Sequence, residues 1–245
     1  MPYEETQAGY ERENPEWDVN TFDELPHRFR QAPQGIFNGI KRYRTEPCSV
    51  LDIGCYRGFL LKYFQSHGWT DVFGIEPSKS ASAFAGARLG LDVFNGYLED
   101  YIADESWRRF DVVVVAQVIE HTPNPADFIE AVKQVMATDA ILVLELPYFS
   151  GPNVWAKATA SRLELGKSAW NFLSFPKHIY NFTPRAMKIL LQRRGFKVLE
   201  WSVRSKIREK DGYFMKKVRL IKGKLRWGST MQFIAQVGQS ASSSS

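Results

Sequence analysis

The chain of 245 residues is 44% hydrophobic, 24% charged and 14% aromatic, the profile of a folded globular protein long enough for one large α/β domain. Its net charge of +5 is uneven: over residues 204–226 ten Lys/Arg stand against Glu209 and Asp211, a local +8, so the remainder sums to −3. That distribution disfavours a basic coat for nucleic acid and leaves one basic segment to meet an anionic partner. The opening Met1-Pro2-Tyr3-Glu4-Glu5 has no basic or apolar signal region. No apolar run approaches the roughly 18 residues that suggest a membrane span. Cys48 and Cys55 flank one predicted strand and make no ligand pattern. No metal site is expected, and a reducing cytoplasm is the simplest setting.

Residues 1–33 read as an arm or lid, acidic and aromatic by turns, with a short helix beginning at Gln34. Residues 34–237 form the main domain. Strands are predicted over 49–53, 72–76, 91–95, 110–117 and 140–146, with helices over 58–67, 79–89 and 126–136 between them. Strands alternating with helices of about 10–12 residues indicate βαβ units, a parallel sheet and a doubly wound α/β fold. Apolar stretches such as 112–115 and 141–144 fit a sheet covered on both faces. The alternation breaks over 148–182, an aromatic insertion holding Tyr148, Phe149, Trp155, Trp170, Phe172, Phe175, Tyr180 and Phe182. It resumes where Thr183 and Pro184 open a helix ending near Gly195. Strands follow over 196–203 and 231–237, and the tail 238–245 is low-complexity.

The sharpest feature is Val50-Leu51-Asp52-Ile53-Gly54-Cys55-Tyr56-Arg57-Gly58-Phe59, a strand running through a small-residue turn into a helix. Such a turn offers free backbone N–H groups to a polar or anionic ligand group. Glu76 lies 22 residues beyond Gly54, at the end of the next strand, where a carboxylate can accept both hydroxyls of a ribose. A dinucleotide turn requires Gly-x-Gly-x-x-Gly. Tyr56 and Phe59 occupy its second and third glycine positions, so that reading fails. Asp52 can hold the turn or bind an amine. Asp52, Gly54, Gly58 and Glu76 together suit a ligand with an amino acid end, a ribose and an adenine, which describes S-adenosylmethionine (SAM).

On these residues the chain resembles the class I SAM-dependent methyltransferases, whose first motif is hydrophobic-Asp-x-Gly-x-Gly-x-Gly. The resemblance spans about residues 48–202. It includes Gly74-Ile75-Glu76-Pro77-Ser78, Phe110-Asp111-Val112-Val113-Val114, Ile119-Glu120-His121-Thr122-Pro123-Asn124-Pro125 and Arg194-Gly195-Phe196. The subgroup with Glu-His-x-Pro after strand four, acting on small molecules and glycan precursors, is the most similar. Tyr56 departs from the pattern, standing where the family has its middle glycine. The resemblance implies a Rossmann-like sheet of seven strands, mostly parallel with an antiparallel last strand. It also implies that Tyr97 and Leu98 flank the adenine and that Gln117 faces the methyl-transfer region.

Methyl transfer to a hydroxyl is helped by a general base. His121, just after strand four, and His178, in the insertion, are the candidate catalytic residues, and each is equally readable as packing or substrate contact. The insertion is a substrate wall, a hydrophobic clasp or the patch of a homodimer. The basic segment 204–226 is a solvated hairpin, the seat of a phosphorylated or nucleotide-linked acceptor, or a contact for RNA or an anionic membrane surface. The expected activity is O-methylation of a small molecule or glycan precursor. Two alternatives stand beside it: a catalytically silent methyltransferase-like binding subunit, motivated by Tyr56, and an RNA methyltransferase, motivated by the basic segment.

Overall fold

The computed structural model describes residues 27–151, Thr159, and residues 179–204 and 228–238. Among the described residues, helix α1 (His27–Ile40) comes first, and it starts seven residues before the position expected from sequence. The alternation then runs β1 (Val50–Ile53), α2 (Phe59–Ser66), β2 (Val72–Ile75), α3 (Lys79–Leu89), β3 (Asp92–Phe94), α4 (Leu98–Ala103) and β4 (Phe110–Ala116). A single 3-10 turn at Ile119–His121 leads to α5 (Pro125–Gln134) and β5 (Met136–Pro147). Last come α6 (Pro184–Arg193), β6 (Phe196–Arg204) and β7 (Thr230–Val237).

The seven strands form one sheet in the order β3-β2-β1-β4-β5-β7-β6. Pairs β1–β2, β2–β3, β1–β4 and β4–β5 are parallel, while β7 runs antiparallel to both β5 and β6. The expected antiparallel last strand is therefore present, inserted between β5 and β6. Alternate residues of β4 face opposite sides. Val113 and Val115 join Leu98, Phe128, Ile129 and Met187 from α4, α5 and α6. Val112 and Val114 join Ile36, Leu61 and Ala85 from α1, α2 and α3. Among the described residues, helices on each face explain why the strands are apolar on both sides.

The helix ends are fixed locally. The Ser78 hydroxyl accepts from the Ala81 N–H, the Asn124 amide oxygen from Ala126 and Asp127, and the Thr183 hydroxyl from Ala186. Each satisfies N–H groups that a helix leaves unpaired at its first turn. Strand order reverses at the β1/β4 junction, where the chain winds one way through β2 and β3 and the other way through β5. The carboxyl ends of these two strands therefore bound the crevice where doubly wound folds bind ligands. Among the described residues, no helix is long and apolar enough to cross a membrane and no group of side chains is arranged to hold a metal ion.

Candidate functional site

After β1 the chain turns through three left-handed residues: Gly54 (φ 76°), Tyr56 (φ 50°) and Gly58 (φ 77°). Glycine adopts this conformation without strain, whereas tyrosine does so at a cost. At Tyr56 the cost is offset by a hydrogen bond, because its N–H donates to Glu76 Oε2 at 2.7 Å. The other glutamate oxygen, Oε1, accepts from the Ser78 N–H at 2.8 Å. The Gly54 and Cys55 N–H groups both donate to the Ile75 carbonyl, at 2.8 and 3.1 Å. The turn after β1 is thereby strapped to the end of β2, and Glu76 is part of the strap. Gly54 and Gly58 are also sterically required. A Cβ on Gly54 would lie 2.5 Å from Val118 Cγ2, and one on Gly58 would overlap Leu91.

Asp52 and Glu76 are 3% and 6% exposed. Asp52 Oδ1 has no hydrogen-bond partner among the described residues. Burial pushes the Asp52 carboxyl well above the ordinary carboxylate range, and the nearby Glu76 charge adds to the effect. Burial also raises Glu76, opposed by the two N–H groups it accepts from. Two buried carboxyls beside a turn, one with an orphaned oxygen, suit a ligand that carries positive charge. The strap reaches β3 as well. The Glu76 N–H donates to the Phe94 carbonyl, and the Glu76 carbonyl accepts from the Gly96 N–H and the Asn95 side chain.

Tyr97 and Leu98 open α4. Tyr97 is half-buried, and its N–H donates to Asp100 Oδ2 at 3.0 Å. Leu98 is 2% exposed and belongs to the core face built by α4, α5 and α6. Gln117, expected to end the strand, lies just beyond β4, exposed and left-handed (φ 58°), with its N–H donating to the Glu145 carbonyl at 2.7 Å. This kink delivers Val118 onto Gly54 and so brings the turns after β1 and β4 together. His121 is half-buried at the end of the 3-10 turn, its N–H bonded to the Val118 carbonyl at 2.9 Å. His178, most of the aromatic insertion and nearly all of the basic segment lie outside the described residues.

Two features of this end of the sheet escaped the sequence reading. Glu120 is 1% exposed, with neither carboxylate oxygen bonded among the described residues. Burial pushes its carboxyl up to about 7, against a smaller pull from its own backbone N–H. Glu145, at the end of β5, forms an ion pair with Arg204 at the end of β6. Burial pulls the guanidinium down to about 10. A signal for Glu120 was present, since the carboxylate follows an apolar strand by only four residues. Glu145 and Arg204 are 59 residues apart and carry no local signal.

Residues 23–200 match the sequence profile of a family described as "Methyltransferase domain". A mitochondrial ubiquinone biosynthesis O-methyltransferase of Arabidopsis thaliana is 28% identical over 186 residues, 72% of this chain and 53% of that protein. A ubiquinone biosynthesis O-methyltransferase of Actinobacillus pleuropneumoniae is 31% identical over 117 residues, 44% of this chain and 47% of that protein. The chain thus spans about half the length of these curated relatives. A solved SAM-dependent methyltransferase of Archaeoglobus fulgidus shares the fold with a TM-score of 0.58 at 17% identity, covering 83% of this chain and 94% of that one. The plantazolicin methyltransferase BpumL, in complex with a pentazolic desmethylPZN analog and SAH, gives 0.60 at 13% identity, covering 97% and 92%.

Proposed function

The chain belongs to the methyltransferase-domain family, and on that footing we propose that it methylates an oxygen atom of a small-molecule or glycan-precursor acceptor with SAM as the donor. The observation that carries this reading is the pair of buried carboxyls, Asp52 and Glu76, set around a left-handed turn with an orphaned Asp52 oxygen. The donor set fits SAM, which brings an ammonium, a sulfonium and a ribose diol to such a site. Bound there, SAM supplies an electrophilic methyl group.

This chain's own residues then have separable tasks. Asp52 offers a carboxylate oxygen to a cationic group. Glu76, already aimed by the N–H groups of Tyr56 and Ser78, retains lone pairs for the diol. Gly54 and Gly58 keep the turn open to a ligand. Tyr97 borders the adenine side. Gln117 and His121 stand at the end of β4, where the acceptor is positioned. In-line displacement at a methyl carbon asks mainly for alignment and exclusion of water.

The choice of oxygen draws on the relatives named as O-methyltransferases, although an N-methyltransferase of Papaver bracteatum also matches, 33% identical over 101 residues. Tyr56, the motive for a silent binding subunit, takes the same left-handed conformation as its flanking glycines, which favours a working turn.

Calorimetric titration with SAM tests the reading. The wild-type protein is expected to bind, and Glu76→Ala to bind about 10- to 100-fold more weakly, the loss of a charge-assisted bond worth about 1.5–3 kcal/mol. A folded wild-type protein that takes up no SAM would defeat the proposal.

A further inference from the structure

One residue of the turn after β1 is at odds with its own backbone. Tyr56 is left-handed (φ 50°) between Gly54 and Gly58, a conformation that glycine adopts freely, asparagine readily and a bulky residue rarely. The hydrogen bonds that hold the turn do not call for a tyrosine. They use its N–H, which donates to Glu76 Oε2 at 2.7 Å, and the Gly58 N–H, which donates to the Cys55 carbonyl at 2.9 Å. Any residue but proline supplies the same N–H at position 56. Glycine there would keep the turn and relieve the strain. Turn formation therefore does not account for the ring.

The ring is nonetheless held. It is half-buried, and its hydroxyl is hydrogen-bonded to the Arg57 side chain. The Arg57 guanidinium lies in turn over the Phe84 ring of α3, 4.6 Å from its centroid, and Phe84 meets Phe59 edge-on at 6.1 Å. Burial raises the Tyr56 hydroxyl above the ordinary tyrosine range, the Arg57 charge and hydrogen bond oppose this, and the Glu76 charge adds to the rise. The side chain thus stands within electrostatic reach of the carboxyl that its own N–H anchors. Glu76 is the group assigned to the ribose diol, while Asp52, with its orphaned oxygen, is assigned to the cationic end of the ligand. A strained residue persists where the surrounding structure fixes it, and such residues gather at ligand sites.

We propose that the Tyr56 ring is a cofactor contact of this chain, packing against the nucleoside half of SAM beside Glu76. The proposal rests on the reading of the chain as a SAM-dependent methyltransferase and adds a side chain where the resembled motif has glycine. A half-buried aromatic ring next to a diol acceptor suits the apolar C–H edge of a ribose. The bond to Arg57, itself stacked on Phe84, restricts the ring before a ligand arrives, which lowers the ordering cost of binding. Tyr56 therefore favours the ligand at the expense of the turn's own stability. The two effects have opposite signs, and that separates a cofactor contact from a structural residue.

Calorimetry with SAM and with methylthioadenosine, which keeps the nucleoside but lacks the amino acid end, tests this beside the unfolding temperature of the ligand-free protein. Tyr56→Gly and Tyr56→Asn are expected to unfold no earlier than wild type, because both tolerate the left-handed turn. Each should bind SAM and methylthioadenosine about five- to tenfold more weakly, and by the same factor for both ligands. Tyr56→Phe keeps the ring and should bind both within about threefold of wild type. Glycine and asparagine variants that bind SAM within about twofold of wild type would overturn the proposal. So would tighter binding by them, including binding gained where wild type has none, since the ring would then obstruct the site. A loss confined to SAM would move the contact away from the nucleoside and overturn it as well. A lower unfolding temperature accompanying the loss in both variants would make Tyr56 a structural residue, and a loss as large in Tyr56→Phe would assign the effect to the hydroxyl; either result overturns the ring contact. If neither wild type nor any variant binds SAM, the methyltransferase reading itself falls, and the proposal with it.

Discussion

A carboxylic acid kept from water holds its proton longer, and at Glu120 this couples the acid to stability. In the unfolded chain the group titrates at the ordinary 4.5, and in the folded protein at about 7. Between these values the folded state binds the extra proton, so stability falls as pH rises from 4.5 to 7 and the full penalty applies above. Glu120→Gln lacks this dependence. The two proteins should respond alike to pH below about 4.5, and by pH 8 the variant should have gained roughly 3 kcal/mol on wild type, the cost of ionising the buried acid. Urea unfolding at pH 4.5, 6 and 8 checks this; parallel curves would show that Glu120 is not titrating in isolation. At this scale the sequence was legible where chemistry and spacing coincide. Asp52, Gly54, Gly58 and Glu76 do come together, since a strand-turn-helix unit and its neighbouring strand bring such positions into reach. What spacing could not convey is that Glu76 is tied by the Tyr56 and Ser78 N–H groups, or that Val118 lies over Gly54. Both depend on contacts between different βα units.

Among the elements, α5 carries the chain away from the turn that holds Glu120 and His121, so its first turn sets where that turn ends. Asn124 caps it, accepting from the Ala126 and Asp127 N–H groups while its own amide donates to Asp127, with Pro125 pre-set for the first helical position. Asn124→Ala should cost about 1 kcal/mol of stability. Hydrogen exchange should quicken at Ala126 and Asp127 but not within β4; unchanged exchange at those two amides would argue that the cap contributes nothing. The long strands were readable because Val112 to Val115 and Ile141 to Leu144 are apolar on both faces. The start of β5 was not. Thr138 and Asp139 are exposed and Asp139 is left-handed (φ 62°), a turn-like signature, yet the strand begins at Met136, which pairs with Phe110 across a register shift. Helix α4, six residues long, is too short to show a helical period.

Across the whole molecule, the ion pair of Glu145 and Arg204 joins elements distant in sequence. It links the end of β5 to the end of β6 beneath α1. A Cβ on Gly35 would overlap the Arg204 guanidinium, and one on Gly39 would lie 2.9 Å from Gln232 Oε1, so α1 settles on this polar patch through its glycines. Arg204→Met should cost about 3–5 kcal/mol, because it leaves a buried carboxylate unpaired. Adding Glu145→Gln should recover much of that loss. Equal unfolding midpoints for the single and double variants would refute the pairing.

The position of β7 has a further consequence, for the order in which the sheet is completed as the chain is synthesised. β7 is made last but lies between β5 and β6. The strands that shape the turn after β1, β1 to β4, can pair as soon as they emerge, whereas β5 keeps one open edge and β6 has no neighbour until residues 230–237 arrive. During that interval a nascent chain presents the apolar edge from Ile141 to Leu146 to its surroundings. A ribosome that stops short of Thr230 therefore releases a protein whose turn after β1 is assembled and whose sheet is still adhesive.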